Sequence, residues 1–351
     1  MERRFLVIRL SAIGDVVRTM PAVKGLRERY PRAHIAWLVE DKSSDILVDC
    51  PYLDRLIVFP RRQLVGKSGS RMSMRTRARL LTRFVRELRR ERFDTVLDFH
   101  GLFKSGLLGL LSGAKERIGL HRRYTRELNF LFVNRTVILP GKRINRFERN
   151  MSLVELLDAA PSNLDVEIVV PESVKPGVEK ILEPFDRGKP LVAIHPTTSQ
   201  PFKLWDSGNY AKVADKLLTD GVAQVLITCG PGERDAAQQV VAQMQQPPPP
   251  LVQTGSLREY AWLVKQADVY FGGDTGPMHI ASAMGTPIVA LFGPTTPTID
   301  APYRQPYRAL HKDLPCSPCN ERRCGRNFEC MTAITPEEAY DAILDILEAT
   351  P

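Results

Sequence analysis

Apolar residues along the chain form short unbroken runs, separated by longer stretches in which they recur every three or four positions. Short runs bounded by turn residues are typical of buried strands, and the longer spacing is typical of amphipathic helices. Their alternation predicts parallel sheets made of β-α-β units. The runs predicted as strands are Phe5–Arg9, His34–Val39, Arg55–Phe59, Thr95–Asp98, Val166–Val170, Leu191–His195, Gln224–Thr228, Leu251–Gln253, Val269–Phe271 and Ile288–Phe292.

The same pattern predicts two domains. Helical spacing covers Tyr210–Leu218, Glu233–Met244 and Arg258–Gln266, and a closing helix spans Pro336–Ala349. The stretch Glu183–Pro190 contains two prolines and a glycine and is the best candidate for a linker. We therefore expect an α/β protein with doubly wound, Rossmann-like domains at 1–183 and 190–351, which face each other across a cleft. Ligands of such sheets bind at the carboxyl ends of the strands.

Composition narrows the class of protein. Apolar residues make up 43% and charged residues 25% of the 351 positions, as in soluble globular proteins. No run approaches the roughly 20 apolar residues that cross a bilayer. The apolar run near residue 5 is too short for a signal peptide, so we expect a cytoplasmic protein.

The net charge of +9 is unevenly distributed. Residues 61–92 alone hold 12 basic and 2 acidic side chains. Such a block predicts an anionic partner for the first half, either nucleic acid, a phospholipid surface or an acidic glycolipid. The alternative is a solvated helix face.

The most informative segment lies at residues 269–294. A strand there leads through Gly-Gly-Asp-Thr-Gly into a helix that begins near Pro277, and a second strand follows. Free amides and the positive end of the helix dipole at such a start suit nucleotide phosphates. Asp274, Thr275, Gly276 and His279 are the candidate residues, and an ordinary strand-to-helix turn is the alternative.

Three further turns carry candidate chemistry. After the first strand, Asp15 is either a helix N-cap or a general base. Thr197, Thr198 and Lys203 suit a diphosphate. Glu233 suits ribose hydroxyls, or serves only the dipole of its helix. The chain lacks a Walker loop and a Gly-x-Gly-x-x-Gly motif, which disfavours NTP hydrolysis and dinucleotide redox chemistry.

Together these motifs resemble a known family. They are Ser-x-x-Gly-Asp, His-x-Thr-Thr with Lys-x-Trp, Gly-x-x-Glu, and Asp-Thr-Gly-Pro-Met-His followed by Gly-Thr-Pro and Phe-Gly-Pro-Thr. The chain as a whole resembles the ADP-heptose:lipopolysaccharide heptosyltransferases, glycosyltransferase family 9, which have the GT-B fold. The resemblance implies inverting transfer of L-glycero-D-manno-heptose from ADP-heptose to Kdo or heptose of the lipopolysaccharide inner core. The residues themselves require no divalent metal, because Lys203 and the helix amides can neutralise the leaving group and the chain has no Asp-x-Asp pair.

The resemblance also implies roles for individual residues. Asp15 would deprotonate the acceptor hydroxyl, and Glu233 would bind ribose. The diphosphate would be held by Thr197, Thr198 and Lys203, and the donor site would be lined by Asp274, Thr275, Gly276 and His279. For the anionic acceptor the candidates are Arg61, Arg62, Lys104, Ser105, Arg126 and Arg149. Because this acceptor is a glycolipid, we expect peripheral contact with the inner face of the cytoplasmic membrane.

Four of the six cysteines cluster between residues 316 and 330. Cys316, Cys319, Cys324 and Cys330 could bind a structural Zn²⁺ or, less readily, an iron–sulfur cluster. A cysteine-rich loop without metal is the alternative, and disulfides are disfavoured in the cytoplasm.

Two other functions stay open. One is a related GT-B transferase that uses another sugar nucleotide or acceptor. The other is a basic nucleic-acid-binding protein, which is disfavoured because residues 61–92 lack the interleaved aromatic side chains that stack on bases.

Overall fold

Two parallel six-stranded sheets organise the chain in the computed structural model, which describes residues 2–65, 73–125, 127–141, 143–319 and 321–349. The chain divides into two compact units, Met1–Val169 and Val170–Pro351. In each unit the central strands are buried on both faces, as parallel sheets covered by helices require.

The first unit has strand order β3-β2-β1-β4-β5-β6. Its strands are β1 (Arg4–Ile8), β2 (His34–Glu40), β3 (Arg55–Phe59), β4 (Thr95–Asp98), β5 (Glu116–Leu120) and β6 (Arg135–Val137). Its helices are α1 (Ile13–Val17), α2 (Met20–Arg29), α3 (Arg61–Val65), α4 (Met74–Arg90), α5 (Phe103–Leu111) and α6 (Arg146–Glu155).

The second unit has strand order β12-β11-β10-β7-β8-β9. Its strands are β7 (Leu191–His195), β8 (Gln224–Cys229), β9 (Leu251–Gln253), β10 (Val269–Gly273), β11 (Ile288–Phe292) and β12 (Tyr307–His311). Its helices are α7 (Lys175–Leu182), α8 (Ser207–Thr219), α9 (Arg234–Val241), α10 (Leu257–Lys265), α11 (Gly276–Met284), α12 (Pro297–Asp300), α13 (Glu329–Thr332) and α14 (Pro336–Ala349).

Both sheets therefore repeat one topology. The first strand of each unit pairs in parallel with the second strand on one side and with the fourth on the other. The strand order reverses between β1 and β4, and again between β7 and β10. Open α/β sheets bind ligands at the carboxyl end of this switch point, and the predicted site residues follow these strands.

Nine of the ten predicted strands are present, and Val166–Val170 is wrong. That segment forms no ladder, and its Glu167 amide donates to the hydroxyl of Tyr52 at 3.1 Å. Strands β5, β6 and β12 were not predicted, because their charged or short runs (Glu-Arg-Ile-Gly-Leu in β5) hide the apolar pattern.

The division between the units falls before the predicted linker. Helix α7 precedes Glu183–Pro190, yet its Val178 and Leu182 pack into the same apolar cluster as Leu191 of β7. The helix therefore joins the second unit, and the division lies at Val169–Val170.

None of the helices in the described part of the chain is long and apolar enough to cross a membrane.

Candidate functional site

The turn after β10 forms the centre of the second unit's site. Asp274 follows the strand directly, and α11 begins at Gly276 with Pro277 in its first turn. The Nζ atom of Lys203 lies 2.6 Å from Oδ2 of Asp274, and Nε2 of His279 lies 3.9 Å from Oδ1. Asp274 and His279 are almost fully buried. The structure thus brings together Lys203, Asp274 and His279, which the sequence placed in two separate motifs.

A close backbone approach requires glycine at position 272. A Cβ atom there would lie 2.6 Å from the carbonyl oxygen of His195 and 2.7 Å from the hydroxyl oxygen of Tyr270. A backbone carbonyl cannot move aside as a flexible side chain can. Gly272 therefore lets the ends of β10 and β7 meet and sets the spacing between their two turns.

A hydrogen-bonded chain joins the turns after β7 and β8. The Thr197 hydroxyl donates to Oε2 of Glu233 at 2.7 Å, and the Gly230 amide donates to the same oxygen at 3.0 Å. Since that hydroxyl hydrogen is used, Thr197 accepts from Nε2 of His195, which lies at 3.3 Å. The other ring nitrogen, Nδ1, lies 2.9 Å from the hydroxyl oxygen of Thr228, which in turn lies 3.3 Å from the Ile194 carbonyl oxygen.

The His195 ring at the centre of this chain is neutral. Burial lowers the pKa of His195 to about 4, and the nearby Glu233 offsets only part of that effect. The imidazole is therefore neutral at pH 7 and serves as a fixed relay that orients Thr197 and Glu233. Thr197, predicted as a diphosphate ligand, is almost fully buried and holds Glu233 in place.

The remaining predicted donor residues are more accessible. Thr198 is half-buried, and its hydroxyl accepts from the Gln200 amide at 3.2 Å. Thr275 is the residue before α11 and has an extended backbone. Its side chain does not accept a hydrogen bond from the first-turn amides of the helix. Uncapped amides at a helix start suit an anion.

In the first unit, arginines surround Asp15. Its carboxylate forms ion pairs with Arg9, with Arg18 at 2.7 Å and with Arg146 at 3.7 Å. Asp15 lies in the first turn of α1, where Ala12 is the cap residue, so it is not the predicted N-cap. The side chain of Asp15 is 16% exposed, so these arginines do not cover it completely.

The arginines of this group repel one another. Burial, then Arg9 and Arg146, lower the pKa of Arg149 to about 10. Burial also lowers the pKa of Arg9, and Asp15 offsets this only in part. Burial is the larger cause for both arginines and repulsion between like charges adds to it, so an additional anion would relieve that repulsion.

A second ion-pair cluster surrounds Glu40 at the end of β2. Arg61 donates to its Oε2 at 2.6 Å, and Lys104 binds Oε1. Burial raises the pKa of Glu40, but the hydrogen bonds from Lys104 and Arg61 bring it below its usual value. Arg62 pairs with the neighbouring Asp41 at 3.1 Å. Three predicted acceptor residues are thus held at one edge of the sheet by acidic residues that the sequence analysis did not single out.

Ser105 does not belong with them. It is fully buried, and its hydroxyl lies 2.9 Å from the carboxylate of Asp98. Asp98 also accepts from Asn129 at 2.7 Å and from the amides of His100 and Gly101. Ser105 therefore stabilises the turn after β4 and is not placed to contact an acceptor. Arg126 lies outside the described residues.

The predicted zinc site is not formed in the described part of the chain, where no three His, Cys, Asp or Glu side chains are arranged to hold a metal ion. Cys330 is buried in α13 beside Gly293, whereas Cys316 is exposed. Burial, together with the nearby Cys319, Cys324 and Cys316, raises the pKa of the Cys330 thiol. All six cysteines are free thiols.

The residues that sequence reasoning missed share one signal. Arg9, Glu40 and Thr228 all lie at or beside the carboxyl end of a strand, as do Asp98 and His195. A search of every strand end for buried polar residues would have found them. The hydrogen-bond and ion-pair partners of these residues depend on which strands are neighbours in the sheet, and local sequence does not predict that strand order.

Comparison with known proteins agrees with this arrangement. Residues 81–328 match the family model described as glycosyltransferase family 9 (heptosyltransferase). The chain is 28% identical over 326 residues to lipopolysaccharide heptosyltransferase 1 of Pseudomonas aeruginosa, covering 92% of this chain and 87% of that protein.

Solved structures show the same fold. A family 9 glycosyl transferase from Veillonella parvula has a TM-score of 0.84 at 23% identity, with 100% of this chain and 99% of that one covered. The E. coli heptosyltransferase WaaC, solved with ADP-2-deoxy-2-fluoro heptose, has a TM-score of 0.71 at 21% identity, covering 99% and 100%. These likenesses confirm the predicted GT-B fold class.

Proposed function

The chain belongs to glycosyltransferase family 9, the heptosyltransferase family, and from this membership we propose that it transfers heptose from ADP-heptose to the inner core of lipopolysaccharide. The observation that carries the proposal is the pairing of Lys203 with Asp274 at the start of α11, beside the His195–Thr197–Glu233 chain. Relatives named lipopolysaccharide heptosyltransferases support the acceptor, and the WaaC structure with ADP-2-deoxy-2-fluoro heptose supports the donor.

We propose that the second unit binds ADP. The first-turn amides of α11 and the Lys203 ammonium hold the diphosphate, with Thr198 and Thr275 beside it. The Glu233 carboxylate, fixed by Thr197 and the Gly230 amide, accepts hydrogen bonds from ribose. Asp274 keeps Lys203 extended until phosphate charge competes for the ammonium.

The first unit, in this proposal, binds the acceptor. Arg61, Arg62 and Lys104 meet its carboxylate or phosphate groups, and Arg149 adds charge near Asp15. An acceptor anion that pairs with Arg18 and Arg146 would release Asp15 from some of its ion pairs. The Asp15 carboxylate is then available to the attacking hydroxyl.

The chemical step needs one base and no covalent intermediate. The acceptor oxygen forms a bond to the anomeric carbon of heptose, and the bond from that carbon to the phosphate oxygen breaks. Asp15 takes the hydroxyl proton, and the electron pair leaves with ADP. Lys203 and the α11 amides stabilise the charge on the departing diphosphate. Attack from the opposite face inverts the anomeric configuration.

The test compares wild type with Asp15→Asn, using ADP-heptose and purified heptose-deficient inner-core acceptor. We expect the variant to bind ADP normally and to lose about 10²- to 10⁴-fold in kcat, the usual contribution of a general base. Asp54→Asn is the matched control, because Asp54 also pairs with an arginine, Arg27, but precedes β3 instead of following a strand. Asp54→Asn should retain kcat.

Other outcomes would redirect the proposal. Full activity in Asp15→Asn removes its role as the base. A folded, ADP-binding wild type that transfers no heptose, but does transfer from a UDP- or GDP-sugar, would show that another sugar nucleotide is the donor.

A further inference from the structure

Helix α4 presents three different faces. It begins at Ser73, whose hydroxyl accepts from the Thr76 amide at 3.2 Å, and it continues to Arg90. One face packs inward, with Phe84 and Leu88 buried and the Phe84 ring edge-on to Phe59 at 5.3 Å. This face anchors the helix to the core of the first unit.

A second, apolar stripe lies beside the anchored face. Met74, Ala78, Leu81 and Val85 recur at helical spacing, so they share one side of α4. Met74 is 77% exposed and Leu81 is 39% exposed. Leu81 and Val85 form part of an open groove of about 670 Å³. The stripe therefore lies at the surface, outside the core.

The third face consists of arginine. Six arginines lie on this side beyond the stripe, with Thr82 among them: Arg75, Arg79, Arg83, Arg86, Arg89 and Arg90. Glu87 is the one acidic residue of α4, and Arg83 already binds it at 2.9 Å. Arg79, Arg86 and Arg90 pair with no carboxylate in the part of the chain that the structure describes. Arg86, Arg89 and Arg90 also line the groove.

We propose that α4 is a membrane-docking helix, which lays its Met74–Val85 stripe into the surface of an anionic phospholipid bilayer. An apolar stripe bordered by arginines is the pattern of helices that lie in the bilayer interface. Each arginine near an anionic surface adds electrostatic attraction, and the stripe adds apolar burial. The proposal deepens the proposed function, since it supplies a surface through which an enzyme acting on a glycolipid reaches its acceptor.

The apolar stripe favours lipid over nucleic acid. Binding to a phosphate backbone uses the arginines but gains nothing from exposed Met74 and Leu81. Single-stranded nucleic acid would instead require exposed aromatic rings for stacking, and the one aromatic residue of α4, Phe84, is buried. A bilayer uses both features at once.

The experiment measures co-sedimentation of the full chain with vesicles of phosphatidylcholine alone or mixed with phosphatidylglycerol. We compare wild type with Arg79→Gln/Arg86→Gln/Arg90→Gln. The matched control is Arg322→Gln/Arg323→Gln/Arg326→Gln, which removes the same charge from exposed residues of the second unit. We expect the α4 variant to lose about 100-fold in partitioning onto mixed vesicles, from about a factor of five per arginine. The control should match wild type.

A second variant tests the stripe itself. Leu81→Ser/Val85→Ser should weaken binding to mixed vesicles while the arginines stay in place, and circular dichroism checks that α4 is still folded. Raising the salt concentration should weaken wild-type binding, because exposed charges are screened.

Three results would overturn the proposal. They are equal binding by wild type and the α4 arginine variant, equal loss in the control variant, and binding to duplex DNA without binding to mixed vesicles. The vesicles contain neither glycolipid nor sugar nucleotide, so the result is independent of heptose transfer. A chain that docks but does not transfer heptose contradicts the proposed function only.

Discussion

Replacing Glu40 by glutamine removes the carboxylate that holds Lys104 and Arg61. Glutamine keeps the shape of glutamate and one acceptor oxygen but carries no charge. We expect both basic side chains to lose their fixed position at the carboxyl edge of the first sheet. The acceptor must then order them itself, which raises its KM without changing ADP binding in the second unit.

The size of the effects on stability and on KM follows from how exposed the three side chains are. The Glu40 side chain is 2% exposed, whereas Arg61 and Lys104 are 55% and 39% exposed. The two cations therefore stay hydrated in the variant, and the loss is that of charged hydrogen bonds weakened by solvent. We expect about 1–2 kcal/mol of unfolding free energy. Ordering two long side chains costs about 1–3 kcal/mol, so KM for the acceptor should rise roughly tenfold.

The pH dependence has a defined sign. Because the folded-state pKa of Glu40 lies below its ordinary value of 4.5, the carboxylate stabilises the fold above that pH. The stability difference between wild type and Glu40→Gln should therefore disappear as pH falls through the lowered pKa. Urea denaturation at pH 7 and below pH 4 measures it.

Glu91→Gln provides the control. Glu91 also binds two arginines, Arg4 and Arg55, but those residues begin their strands at the opposite edge of the sheet. It should lose stability with acceptor KM unchanged. An unchanged KM in Glu40→Gln, or an equal rise in Glu91→Gln, would refute the reasoning.

Three further predictions concern the second unit. Lys203→Ala should weaken ADP binding about 10- to 100-fold in calorimetry, since one charge-assisted contact is lost, and undiminished affinity would contradict its role. Gly272→Ala should destabilise the protein by about 1–3 kcal/mol, because the new Cβ meets the His195 carbonyl oxygen. Gly177→Ala is the control, because open space surrounds Gly177, and it should not destabilise the protein. Equal melting temperatures of the two variants would contradict the close approach at Gly272. Because the pKa of His195 is lowered to about 4, the unfolding free energy should fall as pH drops from about 6.5 to 4. In urea titrations, His195→Gln should show a smaller dependence of unfolding free energy on pH over that range. The same dependence in both proteins would argue against a buried neutral ring.

Local sequence was sufficient for elements with an uninterrupted apolar run. Leu191–His195 and Ile288–Phe292 are fully buried strands with the predicted bounds, and Pro336–Ala349 is the predicted helix. Strands at the edge of a sheet have a weaker apolar pattern in the sequence, because they have a neighbouring strand on one side only and are less buried. Arg135–Val137 was missed for this reason. The extended segment at Val166–Val170 has the composition of a strand but no neighbouring strand to pair with.

The candidate site was predictable as a set of turns but not as a set of contacts. The motifs located Asp15, Lys203 and Asp274, each near the end of a strand. The pairing of Lys203 with Asp274 joins residues 71 positions apart, and it depends on β7 lying beside β10. Ser105 looked accessible by sequence, yet the buried carboxylate of Asp98 holds its hydroxyl inside the turn.

Each of the two units is one continuous stretch of chain, and this affects how the protein folds during its synthesis. Strand β1 pairs with β4, and the order continues through β5 to β6, so the first sheet stays incomplete until the nascent chain has reached Val137. Among the described residues, every strand of that sheet comes from before Val169. The amino-terminal half can therefore finish folding while the ribosome is still translating the rest, as domains generally do. Its arginine-rich helix is then in place before the second unit has been synthesised.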